Sequence, residues 1–394
     1  MTAVFTRFVA LAVLSLTFAA TAAAQQTKAV PQRNILTIDR LVAHASTVPA
    51  VKGQRVDLFV REKVRDDMVR AQSGASFNGR AVLFVHGGYS PGVLAFDVPY
   101  ADYSWAEFLA RAGYDVFVMD MTGYGRSSRP MMDDPCNLAP AFQKMVIPKT
   151  LKEACPPNYK YDLVNSDSET DDINAVVDFI RKLRGVDKIN LIGWSGGGIR
   201  LGTFVARHQE KVEKFVILAS SSYSRKNPDE RPAELPKPGA PVSIQSREVG
   251  VDQRWLATSK CAESIEPGMP EYIWGLNAQH DPLGATWGSG GLRAPTRTYW
   301  GWNATAAKKI TVPTLIMVGE QDNLMKSNLE LIDDLGASNK AFLSIACATH
   351  FVVWEKQRRV LYKASLDWLR NGRLNGRNAG NFHADERGAI HAKQ

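Results

Sequence analysis

The chain of 394 residues has only four cysteines, Cys136, Cys155, Cys261 and Cys347, and no CxxC pair or His/Cys cluster at zinc-ligand spacing. A metal site is therefore not expected, and no cofactor is required by any motif found. No run of five or more Lys/Arg occurs and no basic stretch is interleaved with aromatics, so nucleic acid is not an expected partner. The formal net charge of +8 is scattered along the chain and reads as a solubility feature. Internal repeats and low-complexity tracts are absent, and 30 Gly and 20 Pro are ordinary usage, which excludes fibrous and largely disordered classes. Long apolar runs are also scarce. The one at Phe8 to Ala20 is shorter than the roughly 20 residues a membrane span needs.

That single run has a different reading. Arg7 precedes it and Thr21-Ala22-Ala23-Ala24 follows it, the pattern of a secretory leader with a small-residue cleavage site. Cleavage after Ala24 leaves Gln25 as the first mature residue. The protein is expected to be exported, to periplasm or medium, and not to stay inserted in a membrane once residues 1–24 are removed. Export permits disulfides. Of three possible pairings the most economical joins Cys136 to Cys155 and Cys261 to Cys347, with four free thiols as the alternative.

Along the mature chain, residues 25–50 are polar and mixed. Val56, Leu58 and Val60 then alternate as in an antiparallel edge strand. Predominantly apolar runs without alternation follow at 81–85, 115–120, 189–193, 215–219, 314–318 and 341–345, as expected of strands buried on both faces of a parallel sheet. Helical spacing lies between them, at 105–112, at 173–183 behind the acidic Glu169, Asp171 and Asp172, and finally at 354–369. This alternation predicts an α/β protein with a mostly parallel, doubly wound sheet. Two stretches interrupt it, at 128–165 and at 223–305. The second holds five of the nine tryptophans, Trp255, Trp274, Trp287, Trp300 and Trp302, and is expected to fold as a cap. The expected organisation is a core of 25–222 and 306–370, a cap of 223–305, and a mobile tail of 371–394 with little apolar content.

Gly193-Trp194-Ser195-Gly196-Gly197 closes one of the buried runs and opens a helix at Ile199 to Arg207. In that context G-x-S-x-G is a nucleophile elbow, whose tight strand-to-helix turn admits only small flanking residues and leaves the serine hydroxyl exposed. Upstream, His86-Gly87-Gly88-Tyr89 follows a central strand, and Asp120-Met121-Thr122-Gly123-Tyr124-Gly125-Arg126-Ser127 follows the next. With these motifs the chain resembles the α/β-hydrolase superfamily, in its serine esterase and lipase-like branch, over roughly residues 50 to 370. The family's D-x-R-G-x-G-x-S loop is matched except that Thr122 replaces its Arg. The resemblance implies an oxyanion hole formed by the Gly88 and Gly196 N–H groups, with structural roles for His86 and the 120–127 loop. It also sets the chain order of serine, acid, histidine.

His350, after the last apolar run and before the final helix, fits the histidine, with His280 as its competitor in the cap. Asp322 fits the acid, with Glu320 as the alternative two residues earlier. Ser195, Asp322 and His350 thus form the expected catalytic set. Tyr89, Trp194 and His280 are candidate substrate contacts, and Arg200 reads as a solvated helix-face residue. Relatives that cleave haloalkanes or epoxides carry Asp at the nucleophile position, so a serine there points to acyl transfer. The expected function is hydrolysis of a small-molecule carboxylic ester through an acyl-serine. The alternatives are a lactone, an amide or a diketone-type carbon-carbon bond, or a non-catalytic ligand-binding protein of the same fold.

Overall fold

The mostly apolar segments Ala81–Val85, Asp115–Met119, Ile189–Trp194 and Thr314–Gly319 show no alternation and so no polar face, and every residue of the four is buried. A computed structural model describes residues 34–70 and 77–393. The leader and its cleavage site fall outside those residues. The described strands are β1 (Ile35–Ala45), β2 (Arg55–Arg65), β3 (Ala81–Val85), β4 (Asp115–Met119), β5 (Val164–Asn165), β6 (Ile189–Trp194) and β7 (Val212–Leu218). They continue with β8 (Val242–Gln245), β9 (Leu292–Pro295), β10 (Arg297–Thr298), β11 (Thr314–Gly319), β12 (Lys340–Ile345), β13 (Gly380–Ala384) and β14 (Ile390–Ala392). Ten of them make one sheet in the order β1-β2-β4-β3-β6-β7-β11-β12-β13-β14. The stretch from β4 to β13 is parallel throughout, and the two outer hairpins are antiparallel.

Both ends of the sheet differ from the sequence expectation. β2 is antiparallel as expected but is not the edge, because β1 pairs with it over its whole length. β1 hides its period behind charged residues that form cross-strand pairs, Arg40 with Glu62 and Arg61 with Asp39, the usual guard of an exposed edge. At the other end, the tail expected to be mobile supplies β13 and β14. Its low apolar content was misleading, since strand addition depends on backbone hydrogen bonds. Leu374, Phe382 and Ala384 are buried where it joins the sheet.

The helices follow the predicted spacing with small shifts. Ser104 caps Trp105–Arg111 by accepting from the Glu107 N–H. Asn165 caps Ser166–Arg184 in a capping box with Ser168, and Gly185 ends that helix in the left-handed conformation. The final helix runs from Arg358 to Asn371, after a short turn at Val352–Trp354.

The two interruptions fold against each other. Met132, Leu138, Val146 and Leu163 of the first pack with Val242, Ile244 and Trp287 of the second in an apolar cluster apart from the main core. β8 and β9 form an antiparallel pair within the second insertion, and β10 pairs with β5 of the first. Asp281 joins the two insertions through ion pairs of 2.7 Å to both Arg129 and Arg293. Disulfides link Cys136 to Cys155 and Cys261 to Cys347, the economical pairing, and point to an oxidising compartment. Among the described residues no helix is long and apolar enough to cross a membrane.

Candidate active site

The turn after β6 has no room for side chains. A Cβ on Gly193 would lie 2.7 Å from the Gly197 carbonyl oxygen, and one on Gly197 would lie 2.0 Å from that of Val85. Between them Ser195 adopts φ 54°, ψ −117° and leads into the helix Gly196–His208. A non-glycine residue in that region is strained, and the strain lifts the hydroxyl off the end of the sheet.

Two loops at the same sheet edge meet this hydroxyl. The Ser195 Oγ donates to Nε2 of His350 at 2.9 Å, and His350 Nδ1 donates to Oδ2 of Asp322 at 2.7 Å. Asp322 is buried at the end of β11, and its other oxygen accepts from the Leu324 N–H. Glu320 turns away to an ion pair with His383 at 3.2 Å. On the opposite side lies the loop after β3. Gly87 approaches so closely that its Cβ would be 2.8 Å from that of Ser195. The Gly88 N–H stands beside Gly196, and neither of these two amides has an acceptor among the described residues.

Arg200 corrects the expectation of a solvated side chain. It is fully buried, pairs with Glu169 at 2.8 Å, and donates to the carbonyls of His86 and Gly87 at 2.6 and 3.2 Å. It therefore holds the loop that carries Gly88. The flanking Gly198, Ile199, Leu201 and Gly202 were the available signal, because a helix turn with no other polar residue has no solvent face. His86 is structural as expected. Its Nε2 accepts from the Met121 N–H, and burial with the Arg200 charge holds its pKa well below the ordinary value, so the ring is neutral. Asp120 likewise secures a loop, accepting from the Gly92 and Arg126 N–H groups, while burial raises its pKa to about 6.

The His350 loop is fastened from several directions. Trp194 donates its indole N–H to the His350 carbonyl at 3.0 Å. The Cys261–Cys347 bridge ties the loop to the second insertion. Buried Glu355 accepts from both the N–H and hydroxyl of Thr349 and from the Trp255 indole of that insertion. Burial raises the Glu355 pKa above its ordinary value.

Above Ser195 lies a cavity of about 210 Å³, walled by Trp255, Trp274, Phe351, Trp354 and Leu292 and by the polar Gln245, Asn277, Arg254 and Arg297. Of the candidate substrate contacts, Tyr89 and Trp194 line it. His280 does not. It ends the helix Met269–His280 with Nδ1 on the Leu276 carbonyl, and burial lowers its pKa. The cap tryptophans divide by role: Trp255 and Trp274 face the cavity, Trp287 fills the second apolar cluster, and Trp302 packs on Gly202. The sequence reading missed Arg254, Arg297, Asn277 and Gln245. No motif marks them, since residues dispersed over an insertion have no common period.

A profile of the alpha/beta hydrolase fold family matches residues 80–357. The chain belongs to the alpha/beta hydrolase family. Solved structures similar to this alpha/beta hydrolase include a serine hydrolase involved in carbazole degradation, at 17% identity over 85% of this chain and 99% of that one, TM-score 0.48. An esterase from Exiguobacterium antarcticum matches at 15% identity over 83% and 100%, TM-score 0.48. A thermophilic esterase from Thermogutta terrifontis matches at 16% over 84% and 98%, TM-score 0.45. These are likenesses of fold. No curated protein matches the hydrolase chain significantly.

Proposed function

We propose that this alpha/beta hydrolase is an exported serine hydrolase of small carboxylic esters, with Ser195, His350 and Asp322 as its catalytic triad and residues 223–305 as a cap. The observation that carries the reading is the continuous hydrogen-bonded chain from the Ser195 hydroxyl through His350 to Asp322. Ser195 attacks the ester carbonyl while His350 Nε2 takes its proton, and Asp322 keeps the Nδ1–H tautomer and stabilises the imidazolium. The carbonyl oxygen gains negative charge in the space faced by the Gly88 and Gly196 N–H groups. His350 then returns the proton to the leaving alcohol, and water repeats the sequence on the acyl-serine. Every proton moves between named groups, so this chemistry calls for no cofactor. Export is supported by the leader pattern and by two disulfides.

The test is hydrolysis of a p-nitrophenyl ester series of increasing acyl length by protein beginning at Gln25, beside Ser195→Ala. Hydrolysis by the wild type that disappears in the variant supports the reading. Labelling of Ser195 by a fluorophosphonate without ester turnover moves the substrate to a lactone, amide or diketone, whereas absence of labelling in folded protein favours a ligand-binding role.

A further inference from the structure

The cavity over Ser195 is lined by charge of one sign. Two arginines, Arg254 and Arg297, line it, and no aspartate or glutamate does. Arg254 sits at the outer wall, hydrogen-bonded to the neutral Gln245. Arg297 is deeper, with its side chain 16% exposed, and its one ion pair among the described residues is to Glu169 at 3.2 Å. That carboxylate is already engaged by Arg200 at 2.8 Å. Arg200, fully buried, and Arg297, largely buried, thus share one carboxylate, two positive charges against one negative. The Arg297 Nε is the atom that faces Glu169, at 3.2 Å but without hydrogen-bond geometry, and the structure gives the rest of the guanidinium no ion pair among the described residues. A buried cation held this way is costly unless an anion completes it.

We infer that the substrate is an ester that also bears a carboxylate, which Arg297 receives with Arg254 supporting it at the cavity mouth. This rests on the ester-hydrolase reading and specifies its substrate class. A guanidinium presents paired N–H donors that match the two oxygens of a carboxylate. The space of about 210 Å³ lies below the roughly 300–1,000 Å³ of sites for drug-sized ligands, so the substrate is small. Apolar walls at Leu292, Trp255 and Phe351 suit the carbon chain between its two ends. A monoester of a short dicarboxylic acid, or the acyl ester of a short hydroxy acid, has this build.

Binding to the Ser195→Ala protein reads the inference without turnover. The probes are monoethyl glutarate against ethyl 5-amino-5-oxopentanoate, in which a neutral carboxamide replaces the carboxylate, and 4-acetoxybutanoate against its amide. Calorimetry is expected to give at least about tenfold tighter binding of one anionic probe over its amide, the value of a charge-assisted hydrogen bond. That ratio is expected to collapse towards one in Ser195→Ala/Arg297→Gln and to survive in part in Ser195→Ala/Arg297→Lys. Should the Gln variant not fold, rising ionic strength on Ser195→Ala alone is expected to shrink the ratio. Equal affinities for anion and amide in both pairs, or a ratio indifferent to position 297 and to salt, overturn the inference. Fluorophosphonate labelling of the wild type is scored separately: its absence overturns the serine-hydrolase reading while the binding ratios still decide the charge preference.

Discussion

Around Ser195 there is no room for one methyl group at Gly193, Gly197 or Gly198, whereas in the insertion helix Met269–His280 the Cβ of a residue at Gly275 would meet nothing within 4 Å. The elbow is held by backbone pressed on backbone. The insertion is held by side-chain packing, in the apolar cluster of Val242, Ile244 and Trp287 and on the main core through Trp255, Ile273 and Trp302, and by long-range fastenings: a disulfide, the Asp281 ion pairs, and the Trp255–Glu355 hydrogen bond. The first arrangement tolerates almost no change and fixes the position of the Ser195 hydroxyl. The second leaves wall residues free to vary, which is where a substrate preference can be set without disturbing the sheet.

Breaking the chemistry at the elbow has the largest expected effect. Ser195→Ala is expected to lower kcat/KM on an accepted ester by about 10³-fold or more, with the circular dichroism of the folded protein retained. Next comes the backbone itself. Gly197→Ala places a methyl against the Val85 carbonyl and is expected to cost about 3 kcal/mol or more in denaturant unfolding.

On the insertion side, Cys261→Ser with Cys347→Ser opens a loop of sequence separation 86 and is expected to lose about 2–4 kcal/mol. Because the bridge lies three residues from His350, ester turnover measured well below the melting temperature should also fall. Intact turnover would mean that Trp194 and Glu355 hold the loop unaided.

Two buried carboxylates give the regions opposite pH signatures. Burial raises Asp120 to about 6, so its stabilisation is complete below the unfolded value of about 3.9 and is lost as pH rises through about 6, a swing of about 2–3 kcal/mol. Burial opposes ionisation of Asp281 as well, but Arg293 and Arg129 hold its pKa below the ordinary value. Its stabilisation is present above that value and is lost as pH falls through the lowered one. Melting curves of Asp120→Asn and Asp281→Asn against wild type are expected to diverge in opposite directions between neutral and acid pH, and parallel slopes would refute the assignment. The smallest effect is a gain. Gly275→Ala is expected to stabilise by about 0.5–1 kcal/mol, since a helical glycine with open space loses only backbone freedom.

Much of the sheet was legible because a strand buried on both faces has to be apolar throughout, and each of the six predicted runs became a strand of it. The candidate site was legible where it depends on short spacing, at Gly193 through Gly197 and Gly87-Gly88, and where the family resemblance set the order of Ser195, Asp322 and His350. Reading failed where a residue's surroundings come from distant chain. Arg200 looked solvated because its partners Glu169, His86 and Gly87 lie on other elements. The tail looked mobile because its partner is the backbone of β12.

Local sequence therefore settled the fold class, the elbow and the identity of its hydroxyl, since these depend on periodicity and on steric demands within a few residues. Only tertiary packing decided that Asp322 rather than Glu320 faces His350 and that His280 stays out of the cavity. It also decided that two arginines without a carboxylate wall the space above Ser195. Those outcomes depend on which side chains from separate strands and insertions arrive at one point, and the balance of charge there is a property of the assembled site.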